Sequence, residues 1–130
     1  MPGEFEDLDA YRKAREFRRR VWKLAELLPP MERSVLAPQM RRAALSITNN
    51  IAEGHGSWSC RHDLSYLRRS RGSVNELMDD LNARQDQGYF KPEHLDSLRE
   101  HAREVIRLLN GYTAYLKRQL AKPEAKDNPE

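Results

Sequence analysis

The chain has 130 residues, which suits one domain; a third of them are charged, with a net balance of only +3. It contains no run of about 18 apolar residues, so no membrane-spanning helix is expected, and the acidic start Pro2-Gly-Glu-Phe-Glu-Asp7 lacks the apolar segment of a secretory signal. The single Cys60 has no disulfide partner within the chain, which fits a reducing, cytoplasmic setting.

Helical periodicity accounts for four segments, and no stretch alternates as a strand does. In the first, Ala10, Tyr11, Ala14, Phe17, Val21, Leu24 and Leu28 recur at steps of three and four. Asp7 or Asp9 caps its start, and Pro29-Pro30 ends it. The second runs from about Ser34 to Ala52, with Leu36, Met40, Ala43, Ala44, Ile47 and Ile51 as its apolar stripe. Pro38 suits its first turn, where a missing N–H costs little, and Gly54 is a natural stop.

The third segment starts at Ser59 as N-cap and reaches Gln87, with Leu64, Leu67, Val74, Met78 and Leu81 on one face and Gly88 closing it. The fourth runs from Pro92 to about Leu120 through Leu95, Leu98, Ala102, Val105, Leu109, Tyr112 and Leu116. Short connections between long helices favour antiparallel neighbours. The expected fold is therefore all-α, an up-down four-helix bundle over residues 1–120, followed by a polar, disordered tail at 121–130.

Charge is unevenly placed. Residues 1–71 hold 14 Lys/Arg against 9 Asp/Glu, whereas residues 72–130 hold 9 against 11, and 17 of the 23 basic residues are arginine. At 100° per residue, Arg12, Arg15, Arg19 and Lys23 share one arc of the first helix, opposite Ala14, Phe17 and Val21. With Arg68 and Arg69 they are the candidate phosphate contacts for RNA or DNA. Glu16 and Glu26 project near the same arc, so the competing reading is an ordinary ion-paired surface.

Polar residues also run beside the apolar stripes. Arg42, Ser46, Asn50 and Glu53 do so on the second helix, and Arg71 and Asn75 on the third. A buried charge needs a partner, so Arg71 is expected to pair with Glu53 or Glu76 in a buried network that fixes helix register. A second set, Tyr66, Ser70, Ser73 and Leu77 on the third helix and Leu108, Gly111 and Tyr115 on the fourth, combines small residues with aromatic rings. That pattern points to a subunit interface, and hence to a homo-oligomer.

Nothing in the sequence calls for catalysis or a cofactor. The Glu-x-x-His pattern of carboxylate-bridged metal bundles is absent: Ala52, Ser59, Lys91 and Leu98 stand three residues before the four histidines. His55, Cys60 and His62 make too loose a set for zinc. No metal, cofactor or enzymatic activity is expected.

The stretch Arg41-Arg-Ala-Ala-Leu-Ser-Ile-Thr-Asn-Asn-Ile-Ala-Glu-Gly54 resembles the signature of the 23S ribosomal RNA intervening-sequence protein family, as does Ser70-Arg-Gly-Ser-Val-Asn-Glu-Leu77. The Phe5-x-x-Leu8 start and the Gly88-Tyr-Phe90 turn extend the likeness over about residues 5–118. Ser70-Arg-Gly-Ser73 and Asn110-Gly-Tyr-x-x-Tyr-Leu116 look more like the related accessory variability determinant proteins of diversity-generating retroelements. The resemblance implies a four-helix bundle assembling into a ring, commonly a homopentamer. In the accessory branch it also implies nucleic acid and a reverse transcriptase as partners. It supplies no catalytic residues. The expected function is a noncatalytic, oligomeric nucleic-acid-binding adaptor; the alternative is a protein-interaction scaffold of the intervening-sequence branch.

Overall fold

A computed structural model of the chain describes residues 3–123. A single 3-10 turn at Phe5–Asp7 leads into four helices: α1 (Asp9–Ala25), α2 (Pro30–Gly56), α3 (Cys60–Asp86) and α4 (Pro92–Ala121). The expected tail lies largely outside the described residues. Among the described residues there is no strand, and no helix is long and apolar enough to cross a membrane.

Each helix packs on the next, and α1 closes the bundle against α4. The pairings run antiparallel. Arg18 meets Thr48, Ile47 meets Ser70, Asp63 meets Tyr112, and Lys13 meets His101. The core is built from the expected stripes: Phe17 and Val21 of α1, Met40, Ile47 and Ile51 of α2, Leu67, Val74 and Leu81 of α3, and Leu95, Val105 and Leu109 of α4. The periodicity reading of the fold is thus sound in its four helices and their core stripes, although α3 buries more than the one stripe expected.

The helix ends differ from expectation at α1 and α2; Leu8 is the N-cap of α1 and no side chain caps it, so neither Asp7 nor Asp9 fills that role. Pro29 and Pro30 do not merely stop α1; Pro30 is the first residue of α2. A proline's fixed φ suits that position. Between the two helices, the Arg33 guanidinium donates to the Glu26 and Leu28 carbonyls at 3.3 and 3.2 Å and closes the turn. Pro38 therefore lies well inside α2, not in its first turn. It cannot donate to the Ser34 carbonyl, but both residues face solvent, where water can satisfy that oxygen.

Gly54 does not end α2 either; the helix passes through it to Gly56. The other two ends follow the sequence closely. Ser59 Oγ accepts from the His62 N–H and caps α3. Gly88, at φ +82°, ends it, with Gly88 N–H on the Gln85 carbonyl and Tyr89 N–H on that of Arg84, a Schellman arrangement.

Candidate functional site

Along α1, the expected row of cations is real in position. Arg12, Arg15, Arg19 and Lys23 are all exposed. Arg12 is held back by the 3-10 turn: its Nε donates to the Glu6 carbonyl at 3.0 Å, and its Nη2 lies 3.6 Å from Asp7. Arg15, Arg19 and Lys23 have no carboxylate at ion-pairing distance among the described residues. Of the two carboxylates expected to offset them, Glu16 turns towards Lys13 at 3.6 Å and His101 at 4.0 Å, and Glu26 makes no ion pair among the described residues.

The arginines of α4 behave differently. Arg99, Arg103 and Arg107 each pair with the carboxylate three residues earlier, Asp96, Glu100 and Glu104. Two helices rich in arginine thus differ: from Asp96 to Arg107 the arginines of α4 are ion-paired within the helix, whereas α1 keeps uncompensated charge.

Beside the α1 row lies a cleft of about 710 Å³ against α2, lined by Arg18, Arg19, Trp22, Lys23, Glu26 and Leu45. The Arg41 guanidinium sits 5.7 Å from the centre of the Trp22 ring, a geometry in which the ring's negative face attracts the cation. Arg18 reaches inwards and donates to Thr48 Oγ1 at 2.7 Å, while Thr48 in turn donates to the Leu45 carbonyl. The cleft therefore has a hydrogen-bonded floor and an exposed basic rim.

Arg68 and Arg69 are also exposed, on α3. Arg69 lies 4.8 Å from the centre of the Tyr66 ring. Since α1 and α3 are diagonal in the bundle, the structure does not join these two arginines to the α1 row; they form a separate basic surface.

The expected buried polar network is corrected. Arg42, Glu53, Arg71, Asn75 and Glu76 are exposed. Arg71 pairs with neither Glu53 nor Glu76; its Nη1 donates to Asn110 Oδ1 at 2.9 Å on α4. Only Ser46 and Asn50 of the set are linked: Asn50 Nδ2 donates to the Ser46 carbonyl at 2.8 Å, and Ser46 Oγ contacts Ser73 Oγ at 2.8 Å. The physical reason is that long arginine side chains near a helix seam extend to water and leave the seam to short hydroxyls.

The expected interface set splits in the same way. Ser70 and Leu77 are fully buried inside the bundle, with Ser70 Oγ donating to the Ile47 carbonyl at 2.8 Å. Because α3 packs on both α2 and α4, its buried arc is wider than one stripe. Tyr66 and Ser73 are half-buried at the α2 seam. Leu108, Gly111 and Tyr115 do remain accessible, and with Leu8, Ala10 and Tyr112 they line a cleft of about 450 Å³ between α1 and α4.

One site escaped the sequence reading. Asp63, on the first turn of α3, is only 4 % exposed. Its Oδ2 accepts from the Tyr112 hydroxyl at 3.3 Å, while Oδ1 is buried without a hydrogen-bond partner. Burial pushes its pKa up to about 6, against the opposing effects of Tyr112 and His55, and the Tyr112 hydroxyl is pushed up in turn by burial and by Asp63. In the sequence nothing marks Asp63, because an acidic residue in a helix's first turn is ordinary.

His101 is the second omission. Arg20 Nη1 lies 3.1 Å from its Nδ1 and can only donate, so Nδ1 accepts; Nε2 then donates to the Lys13 carbonyl at 3.0 Å. These partners select the neutral ring, and burial holds its pKa below the usual histidine range. No group of three or more His, Cys, Asp or Glu among the described residues is placed to hold a metal ion.

The succession of helices from the first turn into α4 has a counterpart among known families. The family model described as 23S rRNA-intervening sequence protein matches residues 6–111. The chain belongs to that family. The match takes in the α1 row, the buried Asp63 and the exposed α3 arginines, so all of these sit within the region shared with the 23S rRNA-intervening sequence proteins. Among curated proteins, no significant match was found.

Proposed function

We propose that this protein is a noncatalytic nucleic-acid-binding adaptor whose phosphate-contacting surface is the α1–α2 face. The observation that carries this reading is the row Arg15, Arg19 and Lys23, exposed and without carboxylate partners, beside a cleft that holds Trp22. Cations four residues apart stand about 6 Å apart along a helix, a spacing that lets one face follow successive phosphates. Arginine's planar fork suits phosphate oxygens, and release of condensed counterions supplies the driving force.

The accessible α1–α4 cleft supports a homo-oligomeric form, in which a second copy covers Leu108, Gly111 and Tyr115. A pentameric ring, as the family resemblance suggests, would repeat the α1 row and raise avidity without new contacts. The resemblance to the accessory branch also supports a reverse transcriptase as protein partner. Light scattering on the purified protein decides the subunit number.

Binding to a structured RNA and to a DNA duplex across a salt series tests the central reading. Micromolar or tighter binding that weakens steeply with salt is expected. Absence of binding even at low salt removes the nucleic-acid role. One observation favours a scaffold instead: Leu27, Met31 and Val35, at the α1–α2 turn, are 55 %, 88 % and 58 % exposed. Partner capture that survives high salt supports that second reading, since apolar contacts resist screening.

A further inference from the structure

Trp58 occupies the turn between α2 and α3 with φ +62°, in the left-handed region that bulky side chains rarely adopt. Its side chain is 75 % exposed, so the ring does not serve the core. The turn itself is fixed: Ser57 Oγ donates to the Gly54 carbonyl at 2.6 Å, and the next residue, Ser59, caps α3. A glycine would meet the backbone demand without strain. The chain instead holds its most exposed aromatic ring on a rigid, strained support, and such outliers point from structure to function.

The surroundings indicate the ligand. From Cys60 to Asn75, the single carboxylate of α3 is Asp63, which is buried. The exposed surface over that stretch carries Arg68 and Arg69, the latter against the Tyr66 ring. Arg68 stands about 12 Å along the helix axis from the start of α3, within the span of a few nucleotides of single strand. An aromatic face followed by cations is the arrangement that binds unpaired bases, because every base offers a π-face and every linkage a phosphate.

We propose that Trp58 is a stacking platform for an unpaired nucleobase, with the adjoining phosphates led along α3 to Arg68 and Arg69. This inference rests on the nucleic-acid reading above and gives single-stranded RNA or DNA, and duplexes with unpaired bases, a contact that a continuous duplex lacks. A strand in a continuous duplex keeps its bases stacked on each other and offers Trp58 nothing.

The test uses labelled oligoadenylate of about a dozen nucleotides and a blunt duplex of the same length, each titrated at low salt. The full chain is compared with Trp58→Ala and Trp58→Phe, and helicity is checked by circular dichroism. Trp58→Ala is expected to weaken single-strand binding about tenfold and to leave duplex binding unchanged, whereas Trp58→Phe retains most of the affinity. Wild-type single-strand affinity in Trp58→Ala overturns the proposal, as does an equal loss for strand and duplex. If the wild-type protein binds neither probe, the nucleic-acid reading itself fails; if it binds both and Trp58→Ala changes nothing, only the stacking site does.

Discussion

Gly54 and Asp63 meet at the α2–α3 crossing so closely that a Cβ built on Gly54 falls 2.5 Å from Asp63 Oδ1, and 2.8 Å from the Tyr66 Cβ. The contact explains why a glycine sits buried in a helix, where its backbone freedom costs about 1 kcal/mol relative to alanine. It also places a carboxylate oxygen against backbone, where no donor reaches it.

Gly54→Ala is therefore expected to destabilise by about 1–3 kcal/mol, because the overpacking outweighs the gain in helix propensity. Gly111→Ala is expected to do the reverse. No atom lies within 4 Å of a Cβ at Gly111, so up to about 1 kcal/mol of propensity is recovered. Urea denaturation of the two variants checks the opposite signs. Equal effects would contradict the crossing geometry.

Asp63 gives the folded state a defined pH dependence. Its pKa is raised in the fold to about 6 from 3.8, so the native state binds the extra proton between those values. The associated stability is complete below about pH 4 and is lost as pH rises through 6, to a total of up to about 3 kcal/mol. Asp63→Asn keeps the shape and an acceptor for Tyr112 but cannot ionise. Chemical denaturation should find the variant more stable than wild type at pH 8 and close to it at pH 4. Equal stability at pH 8 would show that the ionised carboxylate is not penalised.

His101 works in the other direction. Its folded pKa is depressed by burial, so the unfolded chain takes up the proton first. Its contribution is present above about pH 6.5 and is lost as pH falls below that value. In the Asp63→Asn background, stability should decline from pH 7 to 5, and a further His101→Gln substitution should flatten that decline. A flat profile before the second substitution would argue against a neutral ring between Lys13 and Arg20.

The four helices were legible because each writes its buried face at steps of three and four; Phe17, Val21, Ile47, Val74 and Leu109 all lie where those steps put them. The α1 row was legible for the same reason. Less visible was anything decided by side-chain reach across a seam. Arg71 extends to Asn110 rather than to a carboxylate, and Glu16 turns to Lys13 rather than to the row beside it. Pro38 misled because α2 begins at Pro30, four residues before the expected start at Ser34. Asp63 gave no signal at all: its burial depends on Gly54 admitting α3 so closely, a relation between residues on two helices.

The central claim concerns unpaired charge on α1, and the measurement that reaches it most directly is the salt dependence of nucleic-acid affinity. Arg15→Glu/Arg19→Glu/Lys23→Glu should be compared with a control that reverses Arg103 and Arg107, which are already paired. Each lost phosphate contact lowers the slope of log affinity against log salt by about 0.7–0.9. The account predicts a slope flatter by about 2–3 in the α1 variant, with weaker binding throughout, and an unchanged slope in the control. Equal slopes for wild type and the α1 variant would contradict it.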